Sequence, residues 1–352
     1  MRRREFIQGS LAVAAQVGLP AATANAAPTL TIPYGAAVRG DVLVDDYNYR
    51  KALIDHCQLI VAEGSMKWES IHPTPDRFDF YDGDKLINFA EQNGMKMRGH
   101  TLVWYAAMPE WALALRGANQ ANSEMSRHIE TVVGRYRGRI PSWDVVNEAV
   151  ADEPTASDYL RPNVWLENLG KDYLATAFRR AHASDDKVQL VINEYDIECV
   201  GEQYKRRREA LLRIVRDLRD RDVPVHAVGL QGHLRGELEI DKHALSEFVS
   251  QVKAMGLDVL VTELDVTDNL LPPDQQERDR IVASRVEDFL GAIFDAARLT
   301  AIVTWGISDR HTWVPMYFTR EDGRHNRPLP LDRNYRPKPM MEVIERFTRK
   351  TG

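Results

Sequence analysis

Short apolar runs alternate with longer amphipathic stretches along nearly all of the chain. Runs of this kind, rich in β-branched and aromatic residues and bounded by turn residues, read as buried strands. They fall at 34–38, 59–63, 96–102, 142–148, 189–194, 225–231, 257–263 and 300–305. Between them, apolar residues recur at helical spacing over about 47–57, 82–94, 121–138, 172–184, 203–222, 241–255 and 274–298, and a last helix follows Pro339. Asp82 and Gly94 punctuate one of these segments, and Asp241 and Gly256 bracket another as N-cap and C-cap residues. Eight strand–helix units with no break in composition predict one domain of the α/β class, a (β/α)8 TIM barrel. A chain of 352 residues has room for it, since such barrels occupy about 250 residues or more.

Two of the apolar runs end in a carboxylate. Ser142-Trp143-Asp144-Val145-Val146-Asn147-Glu148 closes on Asn and Glu, and Leu257-Asp258-Val259-Leu260-Val261-Thr262-Glu263 closes on Glu. In parallel barrels the chemistry sits at the C-terminal ends of the strands. Reading every strand end in this way collects Glu63, Lys67 and Trp68, then His100 and Trp104, then Asn147 and Glu148. It further collects Asn193, Glu194 and Tyr195, then Gln231 and His233, then Glu263 and Asp265, and finally Trp305 with Asp309 and Trp313 in its loop. Any one of these alone is more often a satisfied structural group. Unpaired buried polar groups cost about 1–3 kcal/mol each, so a polar group at seven strand ends marks a site.

Carboxylates flanked by tryptophans suit a sugar. Glycoside cleavage needs one acid to protonate the leaving oxygen and a second carboxylate on the opposite face of the ring. His233 and Asp265 lie close enough in sequence to Glu263 to fix its charge. Asn147, beside Glu148, can bond a sugar 2-hydroxyl, a contact that strengthens in an oxocarbenium-like transition state. Trp104, Trp305 and Trp313, just past strand ends, offer flat faces to sugar rings, whereas Trp143, on its strand, reads as core packing.

Composition narrows the rest. A net charge of −6 and the lack of a long basic stripe leave no footprint for nucleic acid. Arg206-Arg207-Arg208, in a helical pattern with Glu202 and Glu209, reads as a solvated face. Cys57 and Cys199 are the only cysteines and are expected to be free thiols; two exclude a cysteine-type zinc site. Residues 1–26 read as a twin-arginine-type signal peptide. Arg2, Arg3 and Arg4 precede Phe6 and Ile7, an apolar stretch follows, and Ala24-Asn25-Ala26 has the form of a cleavage site. Export to the periplasm or beyond is therefore expected, with 27–352 as the catalytic domain. No stretch has the ~18 consecutive apolar residues of a membrane span.

These residues carry a resemblance. Met66-Lys67-Trp68-Glu69, Gly99-His100-Thr101-Leu102-Val103-Trp104, Trp143-Asp144-Val145-Val146-Asn147-Glu148, Gln231-Gly232-His233, Thr262-Glu263-Leu264-Asp265, Thr304-Trp305-Gly306 and the tail Asn334-Tyr335-x-Pro337-Lys338-Pro339 together resemble the glycoside hydrolase family 10 endo-β-1,4-xylanases. The resemblance implies a retaining mechanism. Glu148 would be the general acid/base and Glu263 the nucleophile, their carboxyl groups about 5–5.5 Å apart. It further implies that His233 holds the nucleophile charged, with Asp265 and Glu63 in a supporting network. Lys67, His100, Trp104, Asn147, Tyr195, Gln231, His233, Trp305 and Trp313 would contact substrate, with no metal and no cofactor. The implied partners are xylan or xylo-oligosaccharides, branched ones included, bound by a monomer.

The chain departs from the family at two places. Gly64 stands where Asn is usual, and Tyr105-Ala106-Ala107 replaces His-Ser-Gln, so a Gln contact is lost at Ala107. Both changes fall one sugar beyond the cleavage point on the non-reducing side. They predict either weaker binding of linear xylan there or space for a glucuronosyl or arabinosyl branch. Three other readings compete: a hydrolase of β-glucan or mannan, a carbohydrate-binding protein without turnover, and a metal-dependent hydrolase using His100, His233 and Glu263.

Overall fold

The computed structural model describes residues 32–349, so the proposed signal segment lies outside the described residues. Among the described residues nine strands form in chain order: β1 (Tyr34–Val38), β2 (Leu59–Ala62), β3 (Lys96–Val103), β4 (Ser142–Asn147), β5 (Gln189–Glu194), β6 (Ala227–Leu230), β7 (His233–Arg235), β8 (Asp258–Thr267) and β9 (Ile302–Thr304). Neighbours pair in the order β6-β5-β4-β3-β2-β1-β9-β8, and β6 also pairs with β8. The sheet therefore closes into an eight-stranded barrel with parallel pairing throughout. The strand missing from the sequence reading, β7, is a short extra one. It lies along the far half of β8, with His233 opposite Asp265.

The barrel strands are almost wholly buried, because helices cover the outside and side chains fill the inside. That is why these runs read as continuously apolar rather than alternating. Inside the barrel, Ala37, Leu59, Val61, Val191, Ala227, Leu260 and Val303 form a compact cluster beneath Trp305. The larger cluster packs the helices onto the outer faces. Trp143 belongs to the core, as expected: a Cβ at Gly99 would lie 2.0 Å from its ring, so glycine makes the room it occupies.

Helix boundaries follow the punctuation closely. Asp241 caps Lys242–Ala254 by accepting from the Ala244 N–H, and Gly256 follows in a left-handed conformation. Asp82 lies in the first turn of Tyr81–Gln92 rather than at its cap, which is Phe80. Four short helices in the loops, Gly40–Asp45, Trp68–Ile71, Glu110–Leu113 and Val164–Leu169, were not foreseen, being too short to show a period. The arginine run is a correction. Arg206 is exposed, but Arg207 and Arg208 are buried, the first paired with Glu194 and the second with Asp241. A helix packed on a barrel carries cations inward where a strand end or a helix cap supplies the anion. Cys57 and Cys199 are both free and buried.

Candidate active site

Strict alternation along a strand sends successive side chains to opposite faces, and the site depends on breaking that rule. Ser142 and Asp144 on β4 both bond inward to Arg98 on β3. Asn147 also reaches inward, although its parity is wrong. The register of β4 against β5 shifts between Asp144 and Val146, the mark of a bulge that re-aims the residues beyond it. β8 repeats the device. Leu260 packs in the interior and Thr262 donates to Asn193, yet the next residue, Glu263, enters the same space. Here the register shifts between Val261 and Leu264. Beyond the bulge, Glu263 and Asp265 share one face.

The two carboxylates open onto one cleft of about 1010 Å³ at the C-terminal end of the barrel. Asn193 donates from Nδ2 to Glu263 Oε1 at 2.6 Å and to Asn147 Oδ1 at 2.8 Å. Asn147 donates to Glu148 Oε1 at 3.1 Å, and Gln231 Nε2 reaches the same oxygen at 3.1 Å. Trp104 Nε1 donates to the other Glu148 oxygen at 2.8 Å. A chain of amides thus joins the acid end of β4 to the acid end of β8. Gly229 leaves space for it, since a Cβ there would lie 2.3 Å from Asn193 Oδ1.

The surroundings of Glu263 favour its charged form. Burial alone would push its carboxyl up. His100 and the bond and charge of His233 outweigh burial and hold it below the ordinary carboxylate value. His233 Nε2 lies 3.3 Å from Glu263 Oε2, and Nδ1 lies 2.8 Å from Asp265 Oδ1. Burial would lower the pKa of His233, but these two carboxylates raise it well above the usual value, so the ring serves as a cation between them. Asp265 is fixed in turn by Trp313 Nε1 at 2.7 Å. His100 Nδ1 sits 3.0 Å from Asp144 Oδ2, and Arg98 grips the same carboxylate. Burial would raise the Asp144 carboxyl, but Arg98 and His100 hold it low.

The remaining predicted residues line the same cleft. Lys67 Nζ lies 4.8 Å from the Trp104 ring centroid and 5.8 Å from that of Trp305. Trp305 meets His100 edge-on at 5.1 Å. Glu63 faces the cleft beside Lys67, and burial pushes its carboxyl up to about 7 against the pull of Arg39 and Lys67. Tyr195 is on the cleft wall, its hydroxyl 2.7 Å from Asp152 Oδ1.

Three strand-end residues do not join the site. Trp68 is buried against His128 at 3.8 Å. Glu194 turns outward to Arg207 at 2.8 Å and accepts from the Val150 N–H; burial raises its carboxyl to about 7. Asp309 is buried with Lys338. Sequence reasoning missed Arg98 and Asp144, and placed Asn193 at its strand end without giving it a role. For the first two the available signal was a charged residue, Asp144, in the middle of an apolar run.

The family model described as glycosyl hydrolase family 10 matches residues 22–346. A β-1,4-xylanase of Dictyoglomus thermophilum is 34% identical over 309 residues, covering 86% of this chain and 85% of that relative. Endo-1,4-β-xylanase B of Paenibacillus barcinonensis is 33% identical over 337 residues, covering 91% and 96%. Among solved structures, xylanase 10B of Thermotoga petrophila RKU-1 in complex with xylobiose superposes with a TM-score of 0.82 at 29% identity, covering 90% of this chain and 94% of that one.

Proposed function

The chain belongs to glycosyl hydrolase family 10 and matches endo-1,4-β-xylanases over most of its length, and from that premise we propose that it hydrolyses internal β-1,4 bonds of xylan by a retaining mechanism, with Glu148 as general acid/base and Glu263 as nucleophile. One observation carries the assignment of roles. Of the two carboxylates in the cleft, Glu263 is held against a cationic His233, while Glu148 receives only neutral donors from Trp104, Asn147 and Gln231. A carboxylate kept charged suits nucleophilic attack; the carboxyl with no cation beside it is left for the proton transfer to the leaving oxygen.

The chemistry balances in two displacements. Glu148 gives its proton to the glycosidic oxygen as that C–O bond breaks, and Glu263 forms a bond to the anomeric carbon. Glu148, now ionised, takes a proton from water. The resulting hydroxide-like oxygen bonds the anomeric carbon as the bond to Glu263 breaks. Lys67, His100 and Asn147 bind the sugar at the cleavage point, and Trp104, Trp305 and Trp313 supply its apolar walls.

The substrate range extends to branched xylan. A Cβ at Gly64 would meet nothing within 4 Å, so the cleft is open there. The cleft as a whole carries Asp41, Glu63, Glu69, Asp82 and Asp196 against Arg39, Lys67 and Arg235, besides Glu148 and Glu263. That excess of carboxylates suits a neutral pentosyl branch and disfavours a glucuronosyl one. Gly64→Asn should shift the activity ratio toward linear substrate, and an unchanged ratio sinks this part of the reading.

The N-terminal segment is proposed to export the protein. Among the described residues no helix is long and apolar enough to cross a membrane. N-terminal sequencing of the mature protein from the periplasm or medium should begin near Ala27; an intact Met1 terminus confined to the cytoplasm would reverse this view. Sedimentation should find a monomer.

The main experiment is a mass-spectrometric product profile from xylan, run beside Glu263→Ala. Short xylo-oligosaccharides from the native protein alone are expected. Products on β-glucan or mannan but not on xylan would overturn the substrate assignment.

A further inference from the structure

One buried cation touches the main chain of Glu148 without touching its carboxyl group. Arg161 donates from Nε to the Glu148 carbonyl at 3.1 Å. Its own N–H donates to the Ala149 carbonyl at 2.8 Å, and a bridge between Val150 and Leu160 brings this part of the loop back to the end of β4. The rest of the guanidinium faces the cleft wall. Nη1 and Nη2 bond the two oxygens of Asp152 at 3.0 and 2.8 Å, and Nη2 reaches the Tyr195 hydroxyl at 2.7 Å. The guanidinium carbon lies 4.5 Å from the Tyr105 ring centroid and 5.7 Å from that of Tyr195.

The backbone of Glu148 needs such an anchor. Its φ is +57°, a left-handed conformation that costs free energy for any residue with a Cβ and persists only where the surroundings over-determine it. Two bonds do so: the Glu148 N–H donates to the Asn193 carbonyl at 2.9 Å, and its carbonyl accepts from Arg161.

We propose that Arg161 is a positioning residue for the general acid/base, locking the Glu148 peptide in its left-handed conformation and tying it to the wall that carries Tyr105 and Tyr195. The proposal rests on the reading of Glu148 as acid/base. Proton transfer requires the carboxyl to lie within hydrogen-bond reach of the leaving oxygen, and a shift of the peptide moves the carboxyl with it. No bond joins Arg161 to Glu263, which stands on β8. Loss of the anchor should therefore weaken proton donation and leave nucleophilic attack intact.

The test compares two aryl β-xylobiosides, one releasing phenol, which needs a proton, and one releasing dinitrophenol, which does not. Arg161→Lys keeps the charge but loses the planar fork. Its kcat/KM on the phenyl substrate should fall about tenfold to a hundredfold, while the dinitrophenyl substrate stays within about twofold of the native rate. Asp152→Asn loosens the guanidinium from an exposed position (the Asp152 side chain is 70% exposed), so folding is not at risk. It should give the same pattern in weaker form. Glu148→Ala, run in parallel, should show the pattern in full. Equal losses on both substrates, or no loss, in Arg161→Lys and Asp152→Asn would overturn the proposal while leaving Glu148 in its role. If Glu148→Ala itself lacks the pattern, the acid/base assignment fails and the proposal falls with it.

Discussion

Asn193 Nδ2 lies 2.6 Å from Glu263 Oε1, so an oxygen of the proposed nucleophile is held by a fully buried amide on β5. The amide's oxygen accepts from Thr262 and its nitrogen also bonds Asn147. Asn193→Ala should leave Asn147, Glu263 and Thr262 with missing partners. Misplacement of a reacting group costs about 10²-fold in rate, and the unsatisfied groups cost about 1–3 kcal/mol of stability. Steady-state kinetics and a melting curve check both.

If Glu263 is the nucleophile, His233 should set the acid limb of activity. Glu263 must be ionised to attack, and its pKa is held below the ordinary value partly by the His233 cation. His233→Asn removes that charge, so the charged carboxylate is less favoured and its pKa rises. The acid limb of kcat/KM should move to higher pH. An unmoved limb, measured with the dinitrophenyl substrate so that attack is followed, would exclude this role.

A histidine pair outside the cleft governs acid stability. His72 and His128 are fully buried, stack on Phe78 and Trp68 respectively at 3.9 and 3.8 Å, and place their Nδ1 atoms 3.3 Å apart. Burial lowers the pKa of both, that of His128 strongly, with Arg127 adding to the effect. The folded state binds fewer protons than the unfolded one, so stability is complete above about pH 6.5 and is lost as pH falls toward the folded pKa values. Melting temperature should drop between pH 7 and pH 5. His128→Phe, which removes one of the two protons and an unpartnered buried nitrogen, should flatten that drop.

Gly99→Ala tests the barrel beneath the site. The added carbon would lie 2.0–2.3 Å from three atoms of the Trp143 ring, which is itself buried. Overpacking of this kind costs about 1–3 kcal/mol or more. A melting temperature equal to that of the native protein would contradict the packing described.

The eight-unit rhythm, the barrel and the nearness of Glu148 to Glu263 were all legible in the sequence. Buried parallel strands and amphipathic helices leave patterns that depend only on which faces meet water. Motif identity marked Lys67, His100, Trp104, Gln231 and Trp305. Three things were decided by tertiary structure alone. The first is the inward aim of Asn147 and Glu263, because a bulge shifts register against a neighbouring strand and cannot be seen in a strand's own alternation. The second is the fate of charged residues at strand ends: Glu194 and Asp309 turn to Arg207 and Lys338, partners brought from other elements. The third is Arg161, remote from Glu148 in pattern but bonded to its carbonyl through the return of a loop. Local sequence records a residue's own preference for water or core. It does not record which distant partner will satisfy a buried charge, and here those partners set the geometry of the site.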